Sequence, residues 1–510
     1  MSSGKVRKAL SLTLALCLAL AALSGCARTG ERREAAPTLP PARSAFRAPD
    51  GDGPVGQERT ALLYLPDKNE MRLVPREVHL EAAELHETVR TLLEILLSTP
   101  SDEEVNHLGG DQTLTLYGDQ PVEVSGSICT VNLGAGALKL SRSAFYQTCV
   151  ALATTLSSLD EISFVNVLAA DQSVGMDITG SLAMGSLTGH PDENLPVLWE
   201  QMEAKRTPLG EDQSRTPLTA MATLYCPMTD GQGIGCENRI LTFPGQSPRQ
   251  LAEGLLSAMG DVRRNQLADA DLPDLEEYML HAPLTSELED GGRLITLSLS
   301  TWVGELLDRW QTDWPCLAAA ITDTLTTFIP GVSAVLIRLG ETPVTDIRGA
   351  FGVQTALGGL LRRNMFQPYL RGDTTVYLAW DGKLTPVSRP VDRRETENPR
   401  ALLEELMKGP TLREAEEGWQ ATLPSDLGEE DILGVAAEGE TLLVNLSDRF
   451  REEIQAWGPE GEALLCYSMV NTLCLNCQAT RVVFYFEGEQ VETIAGDIYW
   501  AGGFYYNPEL

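Results

Sequence analysis

Histidine is scarce in this chain: His79, His86, His107, His190 and His281 are the only five in 510 residues. They share no metal-ligand spacing, so neither histidine-based catalysis nor a zinc site is indicated. No metal ion and no cofactor are expected. Positive charge is also in short supply, with 39 Lys+Arg against 72 Asp+Glu. The first 25 residues hold three basic and no acidic side chains, so the chain from Cys26 onward carries 36 basic against 72 acidic groups. A field of that sign repels nucleic acid and anionic lipid headgroups, which excludes both as partners. Long apolar runs are absent apart from Leu10 to Leu23, which is short for a membrane span.

What is present at the N-terminus fixes a compartment. Lys5, Arg7 and Lys8 precede the apolar run, and Leu23-Ser24-Gly25-Cys26 closes it as a lipobox. The expectation is a lipoprotein signal peptide over residues 1–25, removed to leave Cys26 lipidated. More than one acyl chain on Cys26 would give stable anchoring, at the extracytoplasmic face of the cell membrane. Residues 26–58 are rich in Pro, Ala, Arg and Gly without a helical or strand period, and read as a flexible tether. Such a coil reaches roughly 30 Å.

The remaining length suits about three domains, and a repeat near 155 residues supplies them. Each unit opens on a short strand around Tyr64, Tyr225 or Tyr377. A helix follows, marked by Arg90 and Glu94, Arg249 and Glu253, or Arg400 and Glu404, with apolar residues at helical spacing. These charges read as exposed i,i+4 pairs, worth a few tenths of a kcal/mol each. Ser247-Pro248 and Asn398-Pro399 supply N-caps with proline at the first helical position, and Thr88 is the weaker equivalent.

A hairpin comes next, with a turn glycine six residues before a polar position: Gly126 and Asn132, Gly292 and Ser298, Gly439 and Asn445. A second helix carries Cys149, Leu152 and Leu156, then Leu317, Ile321 and Leu325, then Cys466, Met469 and Leu473. A strand and an Ile-x-Gly mark at Gly180, Gly349 and Gly496 close each unit. The order strand, helix, strand, strand, helix, strand specifies an α+β two-layer sandwich. Helices cover one face of a mostly antiparallel sheet and leave the other face available for contact. The expected domains are 59–181, a divergent 216–350, and 373–510, with linkers at 182–215 and 351–372.

The run Asn398-Pro-Arg-Ala-Leu-Leu-Glu-Glu-Leu-Met-Lys-Gly-Pro410, the hairpin into Leu443-Val-Asn-Leu-Ser-Asp448 and the helix ending Val470-Asn-Thr-Leu473 resemble the GerM domain of sporulation and spore germination proteins. The first repeat is similar over Ala61 to Asp177, and the second by register more than by identity. The resemblance implies an anchored envelope lipoprotein of spore-forming bacteria, with domains similar to the ring-building motifs of secretion and sporulation channels. It implies assembly rather than chemistry, and it brings no catalytic residues. Three repeats here exceed the two-domain arrangement of the family.

Other candidates for chemistry are few. Cys474-x-x-Cys477 sits near a helix C-terminus, where the dipole opposes a thiolate, so redox function is not indicated. Cys149 and Cys466 read as buried thiols on an apolar helix face. Cys226 and Cys236 flank a turn-rich segment and could close a disulfide across it in an oxidising compartment. Asp50-Gly51-Asp52-Gly53 lacks later calcium ligands and is assigned to the tether. Tyr499, Trp500, Phe504, Tyr505 and Tyr506 either pack onto the third domain or form a partner-facing patch, the first being favoured.

The reading is a non-enzymatic envelope lipoprotein acting in protein assembly during sporulation or spore germination. Its partners would be the membrane through Cys26, envelope or sporulation proteins, and other copies of itself. The alternative is a cell-wall or small-ligand binding lipoprotein, distinguished by a deep pocket with convergent polar groups in one repeat.

Overall fold

The computed structural model describes residues 46–175, 182–208, 210–228, 233–260, 275–307, 312–349, 351–496 and 498–510. Cys26, the expected signal peptide, the expected tether up to residue 45 and Gly180 lie outside these.

Each repeat opens on a long two-stranded ribbon, where the sequence indicated a single strand. In the first repeat β1 (Gln57–Pro66) pairs antiparallel with β2 (Leu73–Ala83), and α1 (Leu85–Ser98) follows. Then β3 (Val122–Ser125) and β4 (Ile128–Leu133) form a tight hairpin, α2 (Arg142–Leu156) crosses over, and β5 (Phe164–Ala169) returns parallel to β4.

The second repeat runs β6 (Leu218–Pro227), β7 (Ile234–Phe243), α3 (Pro248–Gly260), β8 (Met279–Glu287), β9 (Arg293–Leu299), α4 (Trp314–Phe328) and β10 (Val332–Leu339). The third runs β11 (Arg371–Trp380), β12 (Lys383–Asp392), α5 (Pro399–Met407), β13 (Ile432–Glu438), β14 (Thr441–Leu446), α6 (Asp448–Asn476) and β15 (Arg481–Phe486). Gly458, at φ 73°, breaks α6 just before Pro459. The fold is α+β, built of several small and mostly antiparallel sheets, with one parallel pair per repeat.

The second ribbon strands escape a simple strand pattern because they carry proline. Pro75 lies opposite Tyr64 and Pro386 opposite Tyr377, both on strands that end their sheets, where a missing N–H costs no ladder bond. Cys236 holds the matching place opposite Tyr225.

The other edge of each ribbon is closed by the second helix. Tyr64 N–H donates to Thr155 Oγ1 at 2.9 Å, Tyr225 N–H to Thr324 Oγ1 at 2.9 Å, and Tyr377 N–H to Thr472 Oγ1 at 3.0 Å. Two residues earlier on the strand, where the next N–H points the same way, Leu62 donates to Ser158 Oγ and Thr375 to Asn476 Oδ1. Three buried threonines therefore dock helix to ribbon in the same manner three times.

The polar mark in the middle strand has a similar role. Asn132 Oδ1 accepts from Asp171 N–H at 3.1 Å, and Asn445 Oδ1 from Gly488 N–H at 2.9 Å. Both bonds hold a tight turn in which two successive residues, Ala170-Asp171 or Glu487-Gly488, stand at positive φ. Gly126 and Gly439 adopt positive φ at their hairpin turns as expected. In the second repeat Gly291, at φ 84°, takes that role in place of Gly292.

The first two repeats share one apolar core, while the third has its own, built on Val444, Met469, Phe484 and Trp500 among others. The expected linkers belong to the body of the protein. Leu182, Ala183 and Met184, then Leu361, Phe366 and Tyr369, are buried in the shared core. A helix at Leu195–Glu203 is capped by Asn194.

The tether also ends earlier than residue 58. Phe46 and Ala48 cover Leu443, Val483 and Tyr485 on the face of the third sheet away from its helices. Tyr485 Oη donates to Phe46 O at 2.6 Å, Asn445 Nδ2 to Pro49 O at 3.0 Å, Gly53 N to Val435 O at 2.8 Å and Ala437 N to Pro54 O at 2.8 Å. Residues 46–54 thus form a strap, and that sheet face is not left open.

Candidate functional site

Arg90 and Glu94 meet at 3.1 Å and Arg249 and Glu253 at 2.8 Å, as helix-surface pairs. Arg400 instead reaches the strap, donating to both oxygens of Asp52 at 2.6 and 2.8 Å. That hydrogen bond holds the Asp52 carboxyl below the usual carboxylate range, against the effect of burial.

Cys226 and Cys236 do not form a disulfide, which corrects the expectation. The β6–β7 register sets Cys226 opposite Gly235 and Cys236 opposite Tyr225. The two side chains leave opposite faces of the ribbon, so their Cβ vectors diverge. Cys149 and Cys466 are fully buried, and burial raises both thiol pKa values. Cys474 is pushed up to about 11 and Cys477 well above the ordinary thiol value, in each case first by burial, which keeps both as thiols. Trp500 and Phe504 pack edge-on against Phe484 in the third core. Tyr505 and Tyr506 remain exposed.

The histidines are dispersed. His86 bonds Val122 O, His107 bonds Thr99 O, and His79 and His190 lie beside Glu77 and Glu193 at the surface.

The notable polar structure lies where the three repeats meet, at residues that, Tyr225 apart, no motif or spacing marks. Arg363, in the second expected linker, donates through Nε and Nη2 to Glu123 of β3, with the Nε bond at 3.2 Å. It also donates to Tyr225 Oη of β6 and to Thr327 Oγ1 of α4, both at 2.7 Å. Arg393, just after β12, approaches Glu123 at 3.6 Å. Glu123, Tyr225, Arg363 and Arg393 are all buried. Burial opposes the charge on Arg363, but Glu123, Tyr225 and Asp323 together hold its pKa well above the ordinary value. Asp323, fully buried on α4, is pushed up to about 7 by burial, and neither of its oxygens has a hydrogen bond.

A second junction links the first and third repeats. Glu84 at the N-cap of α1 makes no side-chain capping bond, and Glu397 takes over, accepting from Leu85 N–H at 2.9 Å. Arg59 bridges Glu161 at 3.0 Å and Glu397 at 3.8 Å. Burial, then repulsion from Glu397, Glu395 and Glu87, pushes the Glu84 carboxyl up to about 7.

Between these junctions is a cavity of about 440 Å³. It is lined from the first repeat by Glu84, Leu85 and Val124, from the second by Met228 and Cys236, and from the third by Arg371, Arg393 and Leu475, among others. A third contact buries the sheet face of the first repeat. Asn166 of β5 donates to Thr130 Oγ1 at 3.2 Å and to Thr223 Oγ1 of β6 at 2.8 Å, and accepts from Ser186 Oγ at 2.6 Å. Among the described residues, β8 of the second repeat presents apolar side chains to solvent, Leu280 at 47% and Leu284 at 64% exposed.

The fold and its junctions define a class: tandem α+β repeats held together by buried polar contacts. Residues 375–492, most of the third repeat, match the Germane family, described as sporulation and spore germination. The matched family is not one of known enzymes. A solved structure of the tandem GerMN domains of the sporulation protein GerM from Bacillus subtilis is similar at 16% identity, covering 57% of this chain and 99% of that one, with a TM-score of 0.22. A putative lipoprotein from Clostridium perfringens is similar at 17% identity over 26% of this chain and 88% of that one, with a TM-score of 0.18. No curated protein matches the chain.

Proposed function

We propose that this protein is a non-enzymatic lipoprotein, anchored through Cys26 at the extracytoplasmic face of the membrane, that acts in protein assembly during sporulation or spore germination. The observation that carries the reading is the family match over residues 375–492. The lipobox supports the anchor, since acylation of Cys26 would confine the chain to the membrane surface. The pattern of covered and uncovered sheets supports a contact role. The strap covers the third sheet and the second repeat covers the first, which leaves β8, with Leu280 and Leu284, as the surface on offer to envelope or sporulation proteins or to another copy. Exposed apolar side chains grouped on an outer strand are suited to that use.

The test is the yield of heat-resistant spores from the host of origin lacking this gene, complemented by the intact protein or by Cys26→Ala. A large loss restored only by the intact form is the expected result. Normal yield and normal germination in the deletion strain would refute the reading.

A further inference from the structure

The cavity between the repeats holds two kinds of unmet charge. Arg393 is 5% exposed, yet its Nε and Nη2 have no hydrogen-bond acceptor. Its nearest carboxylate, Glu123, already takes two N–H groups of Arg363. Arg371, also on the cavity wall, bonds Pro390 O through Nη2, while its buried Nε has no acceptor either. Buried guanidinium N–H groups without acceptors are costly, and a planar carboxylate matches their fork geometry.

Elsewhere on the same wall the imbalance has the opposite sign. Glu84 has no cation beside it among the described residues, and the charges that act on it are the carboxylates of Glu397, Glu395 and Glu87. Arg59, the nearby cation, is engaged with Glu161 and Glu397. The remaining wall includes Leu85, Val124, Met228 and Leu475. A volume of about 440 Å³ falls in the range of pockets that enclose small molecules.

We propose that this cavity binds a small zwitterion, a free amino acid or a dipeptide, whose carboxylate is taken by Arg393 and Arg371 and whose ammonium is taken by Glu84. The ligand carboxylate meets two guanidinium groups whose N–H donors are only partly satisfied, its ammonium meets a carboxylate with no cation beside it among the described residues, and the apolar wall accepts a small aliphatic side chain. Because the wall draws on all three repeats, an occupied cavity holds them in one arrangement. The inference depends neither on anchoring nor on a role in assembly.

The test is calorimetric titration of the full chain in detergent with alanine and with dialanine, and then with N-acetyl-dialanine and dialanine amide. Saturable binding of alanine or dialanine is expected, and which of the two binds more tightly identifies the ligand as a free amino acid or a peptide. Blocking either terminus should weaken binding at least about tenfold. Glu84→Gln and Arg393→Met should each do the same without lowering the melting temperature. Glu84→Gln keeps the test decisive if Arg393→Met does not fold. Absence of saturable binding up to about 10 mM of both probes, equal binding of the blocked forms, or unchanged binding by Glu84→Gln would each overturn the proposal.

Discussion

Thr324→Val isolates the contact on which the repeat is built. The substitution keeps the shape of the side chain and removes one acceptor, leaving the N–H of Tyr225, whose residue is fully buried, without a partner. An orphaned buried donor costs about 1–3 kcal/mol, and because valine leaves no cavity the effect falls on the hydroxyl, which besides accepting from Tyr225 N–H makes only a long contact to Tyr225 O at 3.5 Å. A central value of about 2 kcal/mol corresponds to roughly 30-fold faster exchange of the Tyr225 amide through local opening. Thr324→Ser retains the acceptor and removes only a methyl group, for about 1 kcal/mol of packing loss. Hydrogen exchange read by mass spectrometry on a peptide spanning Tyr225 distinguishes the two. The serine variant should keep the amide protected, and the valine variant should not. Thr155→Val and Thr472→Val should repeat the result at Tyr64 and Tyr377, the last without affecting the shared core of the first two repeats. Equal exchange at Tyr225 in the valine and serine variants would refute the argument that the hydroxyl oxygen closes the ribbon edge.

Asp323→Asn should raise the melting temperature more at pH 8 than at pH 5. Burial lifts the Asp323 carboxyl to about 7, above its unfolded value, so the wild type loses stability as pH rises through that interval, with Arg363, Glu123, Arg393 and Asp171 as the charges acting on it. The strap should respond to pH in the opposite sense. Asp52 is held below the ordinary carboxylate range, so its pairing with Arg400 is complete above that range and lost as pH falls through the depressed value. Limited proteolysis between residues 46 and 54 should accelerate only as pH falls below the ordinary carboxylate range, and at neutral pH Asp52→Ala with Tyr485→Phe should have a similar effect. Leu280→Arg with Leu284→Arg should leave thermal stability within about 0.5 kcal/mol and reduce heat-resistant spore yield, if β8 is the surface used in assembly.

Several features were legible because they are local. The apolar spacing around Leu92, Leu255 and Leu403, the Asn398-Pro399 cap and the glycines at positions 126 and 439 each depend on neighbours a few residues away. The three threonines were legible too, since each precedes the leucine already marked on the second helix: Thr155-Leu156, Thr324-Leu325 and Thr472-Leu473. The docking role itself is not legible in that dipeptide, because a buried threonine in a helix has no periodic signature of its own. The second ribbon strands were obscured by prolines tolerated only at an edge, and an edge exists only once the sheet has formed.

The sequence by itself determined the kinds of element, their order and their threefold recurrence, because helical and strand periodicity are set by side chains within a turn or two. Tertiary structure alone decided what the charged groups do. Glu123 and Arg363 are 240 residues apart and Asp52 and Arg400 are 348 apart, yet each pair shares a hydrogen bond. The same packing turned Cys226 and Cys236 away from each other and enclosed the cavity among three repeats. Local propensity acts on neighbours in the chain, whereas the desolvation that gives a buried charge its partner or leaves it without one depends on which segments the fold brings together.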